Sequence, residues 1–320
     1  MSDMKAVRFD RYGDIDVLEI RTVPRPSAAA GRVLVQVKAA GINPGEAMIR
    51  KGLLHDRYPA TFPSGQGSDL AGIVAEVGEG VAGFQPGDEV CGFSHERASH
   101  ADYVSVPAEQ LMIKPKGVSF EVAGGLFVAG TTAYAAIRAV GLAAGETIVV
   151  AGAAGGVGTI AVQLAKQIGA TVLGIAGPAN DAWLAAHGVI PVNYGDNLKA
   201  RLLAAAPHGR IDAFLDLFGG GYVELAVAGL KVAPERVNSI IDFAAVEQFK
   251  AQSVGSASAA NIQVLAELAG FIETGQLEVP IAKVYPLGEV QSAFRELEGR
   301  HTRGKIVLQP SLPPVTTDQS

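Results

Sequence analysis

Between residues 146 and 177 the chain reads ETIVVAGAAGGVGTIAVQLAKQIGATVLGIAG, with Gly152, Gly155, Gly156 and Gly158 set between a β-branched run and a segment of helical period. Glycine is a poor choice inside either element, so this cluster marks a turn whose backbone goes where a side chain would obstruct it. TIVVA is short and apolar, as a strand buried on both faces should be. Downstream, Val157, Ile160, Ala161, Leu164, Ala165 and Ile168 share one helical face, and Thr159, Gln163, Lys166 and Gln167 share the other. TVLGIA then supplies a second strand. The spacing Gly152-x-x-Gly155-x-x-Gly158 is a variant of the dinucleotide fingerprint, and it stands in the required context of strand, turn, helix and strand. Such glycines permit the tight turn, let the backbone approach a pyrophosphate and let helix and strand pack closely. The phosphates then meet free N–H groups at the helix N-terminus, so Gly152, Gly155, Gly156, Val157 and Gly158 are the expected phosphate-binding residues. A ligand-free glycine turn would share the local pattern, but the flanking elements favour the dinucleotide.

The second strand bears on which dinucleotide. A free ribose 2′-hydroxyl usually meets Asp or Glu about 20 residues after the glycines. Here the strand ends in Ile175, Ala176 and Gly177, which offer no carboxylate to repel a 2′-phosphate, so NADPH fits better than NADH. Asp181, slightly further on, pulls the other way.

Around this unit the pattern changes twice. Residues 1 to about 120 read as strands and turns, with Val33, Val35, Val37 and Ala39 alternating against Arg32, Gln36 and Lys38. AGIVAEVGEG and GDEVCGF continue in short, glycine-broken strands. From about 120 to 280, the apolar runs TIVVA, TVLGIA, IPVNY, IDAFLDL and RVNSII alternate with helical segments, which argues for a doubly wound parallel sheet. A helix and the strand GKIVLQP follow and are expected to rejoin the first domain. The expected division is 1–122, completed by 285–310, then 123–284, with a flexible tail at 311–320.

The net charge of −6 and the lack of a basic, aromatic-laced patch argue against nucleic acid as a partner. No apolar run reads as a membrane span, and the N-terminus lacks a signal-peptide pattern. Cys91 is the single cysteine, which suits a reducing cytoplasm and excludes a multi-cysteine zinc knot. Cys91, His95 and His100 match no zinc spacing and read as part of a rim loop. No Gly-x-Ser-x-Gly elbow supports a serine hydrolase.

The stretches VKAAGINPGEAMIRKG, GSDLAGIVAEVGEGVAGFQPGDEV, AGTTAYAAI, AGAAGGVGTIAVQLAKQIGA, VNY and GKIVL fall in one order across residues 4–308. In them the chain resembles the zinc-independent quinone oxidoreductase (zeta-crystallin-like) branch of the medium-chain dehydrogenase/reductases. The resemblance implies an α/β chain with a GroES-like β-barrel catalytic domain, a Rossmann domain of doubly wound parallel sheet, a cleft between them and a homodimer. It matches Asn43, Ser68 and Val128 to the Cys, His and Cys that hold catalytic zinc in other branches, so no zinc is expected. It places Asn43, as the catalytic residue, and Thr132 near the nicotinamide. Tyr194 and Arg300 go to the 2′-phosphate, and Phe218 and Ile241 along the cofactor groove. Met48 and Leu54 stand in the substrate pocket where some relatives carry tyrosines, and Asp181 stands where some carry a phosphate-binding lysine. From the residues alone, Asn43-Pro44 also starts a turn, Tyr194 also suits a surface, and Arg300 also suits a solvated charged run.

Without zinc as a Lewis acid, conjugated acceptors are easier to reduce than simple carbonyls, because the hydride leaves a delocalised anion that hydrogen bonds can stabilise. The expected activity is NADPH-dependent reduction of quinones or α,β-unsaturated carbonyls, with the proton drawn from water. The competing class is a non-catalytic NADPH-binding protein of the same fold.

Overall fold

The computed structural model describes residues 2–311. Seven strands come first: β1 (Asp3–Arg8), β2 (Glu19–Pro24), β3 (Arg32–Gly41), β4 (Asp69–Val77), β5 (Glu89–Phe93), β6 (Tyr103–Pro107) and β7 (Leu111–Ile113). Five more surround the glycine turn: β8 (Thr147–Ala151), β9 (Thr171–Ala176), β10 (Ile190–Asn193), β11 (Ala213–Asp216) and β12 (Val237–Ser239). Two close the order, β13 (Ile281–Pro286) and β14 (Lys305–Gln309). The chain divides into two compact units, one of residues 1–128, 261–274 and 281–320, the other of 129–260 and 275–280.

In the first unit a sheet runs β13-β14-β3-β4-β5-β7, with β6 also paired to β3. β3 organises it. Its first half pairs antiparallel with β6, its last residues with β14, and its other edge with β4. Val33, Val35 and Val37 alternate into a core with Leu70, Val74, Val90, Val104 and Val106. Leu34 is buried as well, so the strand has no fully wet face. A second core forms where Ile42, Ile306 and Leu308 meet Phe9, Leu18 and Phe294. The late strand therefore does return to the first unit.

Three expected boundaries shift. The division at 122/123 falls inside helix α2 (Phe120–Gly124), which follows helix α1 (Pro44–Arg50) in the order of helices. α2 stays with the first unit because Gly124 sits so close to β3 that a Cβ there would collide with the Ala39 carbonyl. The unit then continues to Val128, at the start of helix α3 (Phe127–Ala139). The helix Ile262–Glu273, expected in the second domain, belongs to the first unit, where it packs against β7 and buries Leu265, Leu268 and Ala269. The return begins at Ile281 rather than 285. Of the tail expected at 311–320, everything from 312 onward lies outside the described residues.

The second unit is a five-stranded sheet in the order β10-β9-β8-β11-β12 with every pair parallel. β8 is buried at all its residues, and β11 likewise. β10 differs from β8 and β11: it is the edge strand, and Ile190 is 37% exposed. Helix α4 (Gly156–Ile168) departs too. Its expected polar face includes buried Thr159 and Gln163, and the 275–280 segment lies against Gln163. Gln163 Nε2 donates to the Thr159 and Glu278 carbonyls at 2.6 and 2.8 Å, and its Oε1 accepts from the Glu278 N–H at 2.8 Å. Ile168, assigned to the apolar face, is 36% exposed. No helix among the described residues is long and apolar enough to cross a membrane.

Two glycine substitutions should act with opposite sign. Gly124→Ala forces a methyl group against the Ala39 carbonyl and should destabilise by about 1–3 kcal/mol. Gly270→Ala, inside the Ile262–Glu273 helix with nothing near its added methyl, should stabilise by about 0.5–1 kcal/mol. Urea unfolding of the three proteins checks both signs.

Candidate functional site

The second unit contributes the glycine turn. Gly152 leaves β8 with φ +77, a left-handed conformation suited to glycine, and its N–H donates to the Ile175 carbonyl at 3.1 Å. Gly155 is the N-cap of α4 and supplies no side-chain cap, so the first-turn N–H groups of Gly156, Val157 and Gly158 have no capping side chain over them. Gly158 is obligatory for another reason: any Cβ there would run into the Gly152 carbonyl, so helix and turn approach each other as closely as backbones can. The turn lies between β8 and β11, where the strand order reverses direction, which is where parallel sheets bind their ligands.

Phe218 and Ile241 follow β11 and β12 and flank Gly219. Phe218 Cβ would lie 3.5 Å from a Cβ on Gly152, and Ile241 Cγ2 3.4 Å from one on Gly219. Both therefore line the same strand ends as the turn. Tyr194 is 56% exposed and lays its ring over Gly177, at the end of β9, with its hydroxyl 3.2 Å from where a Cβ would be. Asp181 starts helix α5 (Asp181–Ala186), and its Oδ1 accepts from Asn193 Nδ2 at 2.8 Å, so a neutral amide already engages the carboxylate. Thr132 is buried within α3. Arg300 is carried by the first unit, after the Val290–Glu298 helix, in a left-handed conformation with φ +59.

The first unit contributes a buried polar network around Asn43, which is 3% exposed. The Lys305 ammonium, at the start of β14, donates to Asn43 Oδ1 at 2.5 Å, to the Ile42 carbonyl at 3.0 Å and to Asp69 Oδ2 at 3.5 Å. Asn43 Nδ2 donates to Asp69 Oδ2 at 3.1 Å and faces Glu46 Oε1 at 3.5 Å. Glu46 accepts the Asn43 N–H at 2.9 Å and the Ser68 N–H at 2.9 Å, and Asp69 Oδ1 accepts the Val128 N–H at 2.7 Å. The three positions that the resemblance matches to metal ligands are therefore tied together through two carboxylates and one ammonium. These contacts engage the side chain of Asn43, the residue expected to be catalytic. An amide with its oxygen on an ammonium and its nitrogen between two carboxylates is fixed in orientation and has little left to offer a reacting anion. Met48 and Leu54 are half-buried on and just after α1.

Burial and the nearby Asp69 carboxylate push the Glu46 carboxyl up to about 7. The expected rim loop is also revised. Cys91 is buried inside β5, where burial pushes its thiol up to about 12, and His100 is completely buried, where burial pushes its imidazole down to about 4. His100 Nε2 donates to the Gly41 carbonyl at 3.1 Å, which leaves Nδ1 as an acceptor without a partner among the described residues. No three His, Cys, Asp or Glu side chains among the described residues gather as a metal-holding group.

Glu46, Asp69 and Lys305 escaped the reading of motifs, although each left a trace. Asn-Pro-Gly-Glu places a glutamate three residues after a helix cap, where it reaches back to the cap N–H. Asp69 and Lys305 are single charges opening apolar strands. Their partners, 26 and 262 residues from Asn43, leave no local signal.

Residues 29–140 match the alcohol dehydrogenase GroES-like domain family, and residues 184–308 match the zinc-binding dehydrogenase family. The chain is 32% identical to the 2-methylene-furan-3-one reductase of Solanum lycopersicum, over 97% of this chain and 80% of that one. It is 31% identical to the quinone oxidoreductase of Pseudomonas aeruginosa, over 96% and 99%. Among solved structures, the Escherichia coli quinone oxidoreductase complexed with NADPH superposes with a TM-score of 0.83 at 28% identity, covering 96% of this chain and 100% of that one.

The buried pair titrates with opposite consequences. Glu46 moves from 4.5 to about 7, so the folded state holds more protons in that window and stability falls as pH rises through it. His100 moves from 6.5 to about 4, so the unfolded state holds more protons and stability falls as pH drops through that window. Measured by urea unfolding, the parent should gain on His100→Asn by up to about 1.4 kcal/mol per pH unit as pH rises across the histidine window. Against Glu46→Gln it should lose ground as pH rises. A pH-independent difference in both variants would reject the assignment.

Proposed function

Because the chain belongs to the quinone oxidoreductase branch of the medium-chain dehydrogenase/reductases, we propose that it is an NADPH-dependent reductase of quinones and α,β-unsaturated carbonyls. The observation that carries this reading is the uncapped α4 N-terminus behind a turn at which Gly158 admits no side chain. That cradle suits a pyrophosphate held by the Gly156, Val157 and Gly158 N–H groups. Phe218 and Ile241 would border the rest of the cofactor.

Three features favour NADPH over NADH. No carboxylate ends β9, the Tyr194 ring covers Gly177 at that edge, and Asn193 engages the Asp181 carboxylate. Arg300 is assigned to the 2′-phosphate. The chemistry of the donor set supports zinc independence: Asn43 Oδ1 is on an ammonium, Ser68 is a neutral hydroxyl and Val128 has no ligand atom in its side chain. We further assign a homodimer and a reducing cytoplasmic setting, the latter from the single buried cysteine.

When bound, NADPH supplies the hydride. The chain's own contribution is to bind, orient and keep the geometry fixed. The Asn43 network holds the start of α1, and with it Met48, in place. Burial and the Asp69 carboxylate push the Glu46 carboxyl up to about 7, which limits the net charge buried in this network. A conjugated acceptor spreads the resulting negative charge over several atoms, so hydrogen bonds suffice to stabilise it.

NADPH oxidation with a matched saturated ketone, enone and quinone tests the function. The enone and quinone should react faster, with rates unchanged by a chelator. A faster saturated ketone would overturn the mechanism, and NADPH that binds but is not consumed with any of the acceptors would favour the non-catalytic alternative.

Cofactor choice is tested by titration. NADPH should bind more tightly than NADH, and Arg300→Ala should weaken NADPH by about 1.5–3 kcal/mol with little effect on NADH. Equal loss for both cofactors would remove Arg300 from the phosphate.

A further inference from the structure

We propose that the Ser68 hydroxyl donates the hydrogen bond to the acceptor's carbonyl oxygen, and that the buried charges behind it hold it there. This inference rests on the reductase reading above. Hydride addition to the β-carbon of an enone moves the π electrons onto the oxygen, and the enolate then takes one proton from water at its α-carbon. A quinone takes hydride and proton to give a hydroquinone. In either case NADPH is oxidised to NADP⁺, and negative charge develops on an oxygen that needs a donor within hydrogen-bond reach.

The Lys305 ammonium, 4% exposed, faces three internal acceptors. The Asn43 amide nitrogen lies between Asp69 and Glu46. His100 Nε2 is on the Gly41 carbonyl, and Gln66 Nε2 donates to the Glu46 carbonyl at 3.2 Å. All four turn their donors inward.

Ser68 differs. Its N–H donates to Glu46 Oε1 at 2.9 Å and its carbonyl accepts from the Ser94 N–H at 2.8 Å, so its backbone is held on both sides. Its side-chain oxygen makes no hydrogen bond among the described residues, yet it is not among the buried unpartnered atoms, so it reaches solvent. The residue itself is only half-exposed. On its N-terminal side, Gly67 has φ +100 and would carry a Cβ into the Ser99 hydroxyl. On its C-terminal side, Asp69 is fully buried opposite Phe93, whose ring stacks on Phe127 at 4.0 Å. A rigid backbone presenting one free hydroxyl is the arrangement a preorganised donor requires.

The test compares the parent, Ser68→Ala and Ser68→Thr with an enone and a quinone. Ser68→Ala should lower kcat by about 100-fold with both acceptors. NADPH affinity, read by fluorescence titration, and thermal midpoint should stay at parental values, and Ser68→Thr, which keeps the hydroxyl, should recover most of the rate. Ser68→Ala with kcat within about threefold of the parent would overturn the inference and leave the reductase reading standing. A lost rate that Thr does not restore, or that comes with a lowered midpoint, would make Ser68 structural and also overturn it. A parent inactive with every acceptor would remove the reductase reading itself.

Discussion

The buried ammonium of Lys305 is the contact on which the first unit depends. It joins a residue near the end of the described chain to the carbonyl of Ile42, the side chain of Asn43 and the carboxylate of Asp69. Two carboxylates and an ammonium are expensive to remove from water, and their mutual attraction offsets that only when the remaining lone pairs are satisfied. Here they are, by the N–H groups of Asn43, Ser68 and Val128. The geometry of β14, β4 and the start of α1 follows, since displacing any one of them would leave buried polar groups without partners.

In the second unit the governing constraint is space. The Gly158 backbone lies against the Gly152 carbonyl, so helix and turn fix each other without any polar side chain between them. One unit thus holds its site by paired charge and the other by close approach of backbone. The division suits the chemistry: a pyrophosphate needs open N–H groups, whereas a carbonyl oxygen gaining charge needs a donor whose position does not relax.

Much of this was legible along the chain. The glycine spacing, the apolar strands and the return of the last strand were local patterns, and local patterns survive folding when they coincide with the hydrophobic period. The misreadings share one cause. Gln163 lies on the polar face of its helix, yet the 275–280 segment meets it there and buries it. IPVNY is an apolar run like its neighbours, yet it ends the sheet. Cys91 and His100 were read as part of a rim loop, yet both are buried in the first unit. In each case the deciding neighbour is remote in sequence.

By itself the sequence determined the turn, because only glycine adopts φ +77 at Gly152 without strain and only glycine leaves room at position 158. It also determined the alternation of strand and helix that makes a parallel sheet, because burial on both faces demands those apolar runs. Which polar atoms of Asn43 and Ser68 are engaged was decided only by the tertiary structure. A side chain's donors are free or engaged according to what folding brings beside them, and Asp69 and Lys305 reach Asn43 from positions 26 and 262 residues away.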